Sequence, residues 1–285
     1  MLPPYITPEV LKTFVTHALQ EDVGEGDHST LAAIEQNRQS KARLLVKGNG
    51  ILAGMYLAEF IFKEFDPTLT IEKFFNDGDT VKRGDIAFIV SGSARSILTT
   101  ERVVLNCMQR MSGIATKTAQ YTQALAGTPA KILDTRKTTP GFRIFEKWGV
   151  YIGGGNNHRM GLYDLIMLKD NHCDMAGGIQ QAIHRTKEYL RATNKKLKIE
   201  VETRNLNEVK EALLAGGVDI IMLDNMDITT MKEAVQLINK QCQTEASGGI
   251  TEHNIREIAR CGVDFISVGA LTHSYQSLDL SLKAF

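Results

Sequence analysis

Cationic side chains cluster between residues 136 and 169, directly after short apolar runs or in a glycine-rich loop. They are Arg136, Lys137, His158, Arg159 and Lys169. Gathering positive charge closely raises the electrostatic energy of a protein unless an anionic ligand offsets it. Taken singly, these residues are typical of surface ion-pair partners. As a group they predict a site that binds a polyanion.

Two acidic residues, Glu202 and Asp224, lie at the ends of neighbouring apolar runs in the same region. If those runs are adjacent strands, the two carboxylates can converge on one ligand. Such a pair suits Mg²⁺ held with waters and substrate oxygens, or hydrogen bonds to ribose hydroxyls. The alternative is that both acids only neutralise the nearby cations.

Glycine turns follow the last two apolar runs, at Ser247-Gly248-Gly249 and at Gly269. Glycine lets backbone N–H groups approach a phosphate closely, and a following helix N-terminus adds a favourable dipole. A single glycine pair is typical of an ordinary tight turn. Two consecutive runs that both end in glycine indicate a phosphate site.

The elements that must position these residues are a series of strands alternating with amphipathic helices. The predicted strands are residues 131–133, 165–168, 197–201, 220–223, 243–246 and 265–268. Intervals of 22, 23 and 22 residues separate Glu202, Asp224, Ser247 and Gly269. This repetition favours a barrel of parallel strands, whose C-terminal strand ends converge on one mouth. An open doubly wound sheet is the alternative, but its single crevice would not use six strand ends.

The first hundred residues follow a different pattern, in which helical and strand segments alternate irregularly. Apolar positions at helical spacing predict a helix over residues 7–19, and strands are expected at 42–46 and 68–74. A long helix begins near Thr99. Its polar positions Arg102, Asn106 and Arg110 align along one face, which by pattern alone is a solvated surface.

The composition is that of an ordinary globular chain of 285 residues, with 43% apolar and 23% charged residues. The 33 basic and 33 acidic residues balance, so nothing indicates a nucleic-acid partner. No basic leader precedes an apolar run, and no segment is apolar enough to span a membrane, so we expect a cytoplasmic protein without a membrane partner. The four cysteines are widely spaced and predict reduced core residues.

Several runs of the sequence resemble the quinolinate phosphoribosyltransferase family. The most specific is DTRKTTPG at residues 134–141, followed by GGNNHR at 154–159 and KDNH at 169–172. Shorter matches occur in the same order along nearly the whole chain: EDVGEGD (21–27), TERVVLN (100–106), VE (201–202), LDN (223–225), EASGGI (245–250) and VG (268–269).

The resemblance implies an α/β fold, an open α/β barrel (TIM-like) with an N-terminal α/β sandwich domain. We expect the sandwich domain over residues 1–112, with the C-terminal tail 271–285 returning to it, and the catalytic barrel over 113–270. The family works as a homodimer or a multiple of dimers, and each site is completed by the neighbouring subunit.

The resemblance also implies roles for individual residues. The residues matching those that bind the quinolinate carboxylates are Arg136, His158, Arg159 and Lys169, with Arg102 supplied by the other subunit. Lys137 and Lys169 match residues that reach the phosphoribosyl donor. Glu202 and Asp224 match acids near the ribose and Mg²⁺, directly or through water. Ser247, Gly248, Gly249 and Gly269 match the loops that bind the 5′-phosphate. The residues to which the resemblance gives catalytic roles are Lys137, Lys169, Glu202 and Asp224.

The implied reaction joins quinolinate to phosphoribosyl pyrophosphate with Mg²⁺ as cofactor, giving nicotinate mononucleotide, pyrophosphate and carbon dioxide for NAD biosynthesis. One rival is a Schiff-base lyase on a similar barrel, with Lys169 as the amine. A second is a molybdenum-transport-associated homologue that shares the fold, and a third is a purely structural or binding barrel. The full set of cations for two carboxylates argues against the second, and the acids and glycine loops argue against the third.

Overall fold

The computed structural model describes residues 2–285, which form eleven helices and twelve strands. In chain order these are α1 (Pro8–Val23), α2 (His28–Ala33), β1 (Gln39–Val46), β2 (Gly50–Ile51), α3 (Met55–Phe65), β3 (Thr70–Lys73), β4 (Thr80–Val81), β5 (Ile86–Ser93), α4 (Ala94–Ala124), β6 (Lys131–Leu133), α5 (Arg143–Ile152), β7 (Ile166–Leu168), α6 (Asp170–Ala176), α7 (Ile179–Thr193), β8 (Ile199–Thr203), α8 (Leu206–Ala215), β9 (Ile220–Asp224), α9 (Ile228–Ile238), β10 (Gln243–Ser247), α10 (Ile255–Ala259), β11 (Phe265–Ser267), α11 (Ala270–His273) and β12 (Leu280–Ala284).

The chain divides into two compact units that do not follow the sequence continuously. Unit 1 comprises the residues up to Ala119 together with Thr139–Gly154 and Ser274–Phe285, and unit 2 comprises Gln120–Thr138 and Gly155–His273. The boundary expected between residues 112 and 113 falls inside α4, which continues to Ala124 without interruption. The compact units divide further along the same helix, between Ala119 and Gln120.

Unit 1 is built on a four-stranded antiparallel sheet in the order β12-β1-β5-β3, with a separate two-stranded pair of β2 and β4. The C-terminal strand β12 pairs with β1, and Leu280 lies opposite Val46. At the other end of the chain, Thr7 caps α1 by accepting a hydrogen bond from the Val10 N–H. Pro8 at the first helical position fits because that position needs no N–H donor.

The predicted polar stripe on α4 is only partly solvated. Arg102 and Asn106 are exposed, but Arg110 donates from Nε to Oε1 of Glu146 over 2.9 Å. Glu146 lies on α5 and is fully buried. Because a buried carboxylate is costly without a cation, Arg110 is drawn into a structural ion pair.

Unit 2 contains a six-stranded parallel sheet in the order β6-β11-β10-β9-β8-β7. Among the described residues, the strands at the two ends of this order, β6 and β7, are not paired with each other, so the sheet is open. Apolar side chains such as Val201, Ile221 and Ile266 are fully buried along the central strands. Helices α6 to α10 alternate with the strands from β7 to β11, as expected of a βα repeat.

The α/β fold class predicted from the sequence is confirmed, and five of the six predicted strands of this sheet lie within about one residue of the observed ones. The exception is β8, expected at 197–201 and observed at Ile199–Thr203. A search of residues 2–285 for a helix long and apolar enough to cross a bilayer finds none. All four cysteines are free thiols, and burial raises the pKa of Cys107 to about 12.

Candidate active site

The C-terminal ends of the parallel strands in unit 2 open onto one cavity of about 840 Å³. Its lining contains eleven of the twelve residues that the sequence suggested: Arg136, Lys137, His158, Arg159, Lys169, Glu202, Asp224, Ser247, Gly248, Gly249 and Gly269. The twelfth, Arg102, lies on α4 in unit 1 and is not part of this lining. Residues from six different strand ends are thus brought together, as expected for the mouth of a parallel barrel.

Two arginines of the lining lie near each other, and neither forms an ion pair with a carboxylate of residues 2–285, although the charges of Glu200 and Asp164 act on Arg159 from further away. The Nε atom of Arg136 is buried and makes no hydrogen bond with any described residue. Within residues 2–285, the guanidinium of Arg159 donates to the Leu165 carbonyl oxygen, at 3.3 Å, and to the Met167 sulfur, at 3.5 Å. Burial, and then the positive charge of Arg136, lower the pKa of Arg159. Such guanidinium groups provide a strong attraction for an anion that enters the cavity.

Lysines extend the positive charge toward the rest of the cavity. Lys169 follows β7 directly, and its Nζ lies 3.4 Å from Oε2 of Glu202 with the lysine side chain half exposed. Lys137 packs closely against Gly269: a Cβ atom placed on Gly269 would lie only 2.9 Å from Cδ of Lys137. The backbone of Lys137 is anchored because its carbonyl oxygen accepts a hydrogen bond from the Thr272 hydroxyl at 2.8 Å.

The two acids of the lining lie on one face of the sheet. Glu202 is the register partner of Met222 across β8 and β9, and Asp224 comes two residues after Met222. Because alternate residues of a strand share a face, both carboxylates point to the same side. Asp224 accepts a hydrogen bond from the side-chain amide of Asn225 at 2.8 Å.

The Gly248–Gly249 turn has a backbone conformation that side chains disfavour. The φ angles of Gly248 and Gly249 are +96° and +60°. A Cβ on Gly248 would also collide with the side-chain amide of Asn225. The backbone conformation therefore favours glycine at both positions, and close packing excludes a side chain at Gly248, while both residues line the cavity.

At the cavity, His158 belongs to a buried cluster with two glutamates to which the sequence analysis assigned no role. The Nε2 atom of His158 lies 3.0 Å from Oε2 of Glu200 and 3.3 Å from Oε2 of Glu245, and both glutamates are fully buried. Burial opposes protonation of His158, but the contacts with the two carboxylates outweigh it and raise its pKa to about 10. The signal in the sequence was an acid inside each of two apolar runs, at positions 200 and 245.

Three further residues at the cavity also lacked an assigned role. Asp134 is fully buried and accepts hydrogen bonds from the His158 N–H at 2.9 Å and from the Asn157 amide at 2.6 Å. It therefore fixes the loop that carries His158. Asn225 and His273 complete the lining near Asp224 and Gly269. Asn225 belongs to the LDN match at residues 223–225, whereas His273 belongs to none of the matching runs. The spacing of apolar residues did not mark either of them as a site residue.

Candidate metal ligands fall into two groups with different chemistry. Within residues 2–285, the one cluster of three ligand-type side chains at metal-binding spacing is His158, Glu200 and Glu245. Its mixture of nitrogen and oxygen donors is typical of transition-metal sites. Glu202 and Asp224 instead offer only oxygen donors at the cavity, which suits Mg²⁺ coordinated mostly by water and substrate.

In comparisons with known proteins, nearly the whole chain is similar to members of one enzyme family. A model described as quinolinate phosphoribosyl transferase, C-terminal domain, matches residues 114–283, and its N-terminal domain counterpart matches residues 27–112. A chloroplastic nicotinate-nucleotide pyrophosphorylase (carboxylating) of Arabidopsis thaliana is 49% identical, and the alignment covers 99% of this chain and 84% of the relative. A probable nicotinate-nucleotide pyrophosphorylase (carboxylating) of Synechocystis is 44% identical, with 99% and 94% covered.

A solved structure extends this similarity to the backbone. The crystal structure of NadC from Streptococcus pyogenes superposes with a TM-score of 0.92 at 43% identity, covering 98% of this chain and 97% of that one. The similarity therefore includes both compact units.

Proposed function

The chain belongs to the quinolinate phosphoribosyltransferase family, and we propose that it joins quinolinate to phosphoribosyl pyrophosphate in NAD biosynthesis. The products are nicotinate mononucleotide, pyrophosphate and carbon dioxide. The observation that carries this proposal is the buried, unpartnered Nε of Arg136 beside Arg159 in the cavity. Two guanidinium groups without carboxylate partners suit a ligand that carries two carboxylates of its own.

The cavity offers separate regions for the two substrates. Arg136, Arg159, His158 and Lys169 would bind the dicarboxylate, and the glycine turns at Gly248–Gly249 and Gly269 would hold the 5′-phosphate with their backbone N–H groups. Lys137 lies beside Gly269, where it can reach the same donor substrate. Bound in this way, the pyridine nitrogen and the ribose C1 would face each other in the middle of the cavity, which lowers the entropic cost of their reaction.

The chemistry breaks one bond to ribose and then one bond to carbon dioxide. As the C1–oxygen bond to pyrophosphate breaks, the ribose ring gains positive charge that the carboxylates of Glu202 and Asp224 can stabilise. The pyridine nitrogen forms the new bond to C1 and becomes positively charged. When the 2-carboxylate leaves as carbon dioxide, its bonding electron pair stays on the ring carbon, where the adjacent positive nitrogen stabilises it, and a proton then binds that carbon.

We propose Mg²⁺ as the cofactor, held near Glu202 and Asp224. The donor set fits, because both residues present carboxylate oxygens to the cavity from one face of the sheet. When bound, Mg²⁺ would neutralise charge on the departing pyrophosphate. Lys169 already contacts Glu202 at 3.4 Å, so part of the metal's coordination would come from water and substrate oxygens.

We further propose a homodimer in which Arg102 contributes to the neighbouring subunit's site. Arg102 is exposed on α4, and its guanidinium forms no hydrogen bond or ion pair with the described residues of its own chain. It is therefore available to bind an anion elsewhere. The plant relatives are named as chloroplastic or mitochondrial, so a cytoplasmic location for this chain stays a prediction.

The decisive experiment incubates the purified protein with quinolinate, phosphoribosyl pyrophosphate and Mg²⁺ and measures nicotinate mononucleotide and pyrophosphate. Arg136→Ala should abolish most of this activity, whereas Arg256→Ala, an exposed arginine on α10, should leave it unchanged. Absence of product with the wild-type protein would reject the proposal. Covalent trapping of a carbonyl substrate on Lys169 by borohydride would instead support the Schiff-base lyase.

A further inference from the structure

The His158–Glu200–Glu245 cluster lies at the cavity in a position fixed by three strands. Glu200 on β8 is the register partner of Ile220, and Glu245 on β10 is the register partner of Met222, so both flank β9. Ile220 and Met222 share a face of β9, which places the two carboxylates on the same side of the sheet. Both carboxylates are fully buried, and within residues 2–285 the one cation that contacts them is His158.

Both nitrogens of the His158 ring face groups of the protein. Nδ1 accepts a hydrogen bond from the Arg159 backbone N–H at 2.7 Å, and Nε2 is buried against the two carboxylates. The His158 backbone N–H donates to Asp134. The ring therefore connects the two glutamates to the backbone of Arg159, whose guanidinium lines the cavity.

The same geometry argues against a metal ion in this cluster. A neutral histidine that binds a metal through Nε2 carries its proton on Nδ1, where it donates to an acceptor. Here Nδ1 faces a donor, the Arg159 backbone N–H, so the ring lacks the acceptor that a metal-bound histidine requires at this nitrogen.

We propose that Glu200 and Glu245 are positioning residues that act through His158 on the anion site. They hold the ring that fixes Arg159, and the ring in turn separates their negative charge from the anion in the cavity. The inference rests on the proposed function in one respect, since it takes that anion to be the dicarboxylate substrate. If His158 is removed alone, two buried carboxylates face the anion without compensation, and its binding should weaken strongly.

A charge-rescue experiment tests this role. His158→Asn should raise the KM for quinolinate by about a hundredfold or more, while the KM for phosphoribosyl pyrophosphate changes little. Adding Glu200→Gln and Glu245→Gln to His158→Asn removes the uncompensated charge, so the triple variant should recover at least about tenfold of the lost quinolinate affinity. Glu233→Gln, an exposed acid on α9, serves as the matched control and should change neither KM.

A role of His158 as a ligand of substrate alone, in which Glu200 and Glu245 play no part, predicts the opposite result. In that case neutralising the glutamates restores nothing, and absence of rescue would overturn the proposal. Purified protein that contains a stoichiometric transition metal, lost in His158→Asn, would overturn it as well. If the single variant does not fold and the triple variant does, the melting curves themselves show the rescue.

If neither His158→Asn nor the triple variant folds, two further measurements still test the proposal. Glu245→Gln alone should weaken quinolinate binding about fivefold in calorimetry, at unchanged affinity for the phosphoribosyl donor, by loosening one side of the ring. Unchanged quinolinate affinity in a folded Glu245→Gln protein would contradict the inference. Failure of the proposed function is distinct, because it appears as absence of product with the wild-type enzyme.

Discussion

The side-chain amide of Asn225 donates a hydrogen bond to the carboxylate of Asp224, its neighbour in sequence, over 2.8 Å. Asn225 achieves this from a left-handed backbone conformation with φ of 52°, while its N–H donates to the Ser247 carbonyl oxygen at 2.8 Å. The residue therefore links the end of β9 to the glycine turn after β10. Its amide orients a carboxylate that we place beside the reacting ribose.

Asn225→Gly should separate the amide's contribution from that of the backbone. Glycine adopts the left-handed conformation without strain, so the turn is preserved and only the hydrogen bond to Asp224 is lost. We expect kcat to fall about ten- to hundredfold with little loss of thermal stability. Asn225→Ala is the companion variant, because it adds strain of about 1 kcal/mol at the same position. Equal kcat in wild type and Asn225→Gly would show that Asp224 needs no such orientation.

Glu202→Ala and Asp224→Ala should each lower kcat roughly a hundredfold or more, because each removes a carboxylate that stabilises positive charge in the transition state. Steady-state kinetics at saturating substrates would measure this. Glu257→Gln, an exposed acid on α10, is the control for a general loss of negative charge. Near-normal rates in both alanine variants would make the two acids charge-balancing residues.

The strands and their functional ends could be predicted because both depend on short-range patterns. An apolar run such as 220–223 followed by Asp224 marks a buried strand and its exposed end within a few residues. The β8 strand was misplaced because its predicted end excluded Glu202, whereas the observed strand continues through Glu202 to Thr203. A charged residue inside a strand is tolerated there because Lys169 provides a counter-charge from the neighbouring strand end.

The buried cluster could not be predicted because its contacts are long-range. Glu200 and Glu245 are 45 residues apart in sequence and meet only through the histidine of a third segment. Each acid on its own breaks a local apolar pattern without indicating its partner.

Quinolinate should be used in strong preference to nicotinate and nicotinamide. A cavity whose cations are arranged for two carboxylates leaves some of them unpaired when only one is present, at a cost of roughly 2 to 5 kcal/mol. Comparison of kcat/KM for the three compounds, with the same phosphoribosyl donor, measures this directly. Turnover of nicotinate at a comparable rate would contradict the dicarboxylate assignment.

The buried cluster should give the protein a pH-dependent stability at alkaline pH. Because the pKa of His158 is raised to about 10 in the folded state, its stabilising contribution is fully present below the ordinary value of 6.5 and is lost as the pH rises through about 10. The proton belongs to the cluster as a whole, which also includes Glu200 and Glu245 and faces Asp134 and Arg159.

Urea unfolding at pH 6.5, 8 and 9.5 would test this dependence. The wild-type protein should lose more stability over this range than the Glu200→Gln/Glu245→Gln double variant, in which the carboxylates no longer raise the histidine pKa. Taking the difference between the two proteins removes the common effect of lysines and tyrosines. Parallel pH profiles would mean that the cluster binds no additional proton on folding.

Arg102 should act in the active site of the neighbouring subunit. Arg102→Ala and Lys137→Ala are each expected to be nearly inactive, because each removes a substrate-binding cation. The two variants are then dissociated, mixed in equal amounts and allowed to reassemble. If Arg102 acts in trans, a mixed dimer contains one site with both lesions and one site with neither. Random pairing makes about half of the dimers mixed, so about one quarter of all sites should regain activity.

The same mixing experiment distinguishes a role of Arg102 within its own subunit. If Arg102 acts in cis, every site of a mixed dimer keeps one lesion and no activity returns. Subunit exchange must be demonstrated independently, for example with differently tagged proteins, and a mixture of Arg102→Ala with itself gives the baseline. Exchange without recovery would therefore reject the shared site and return Arg102, with Asn106, to the solvated face that the α4 pattern alone indicates.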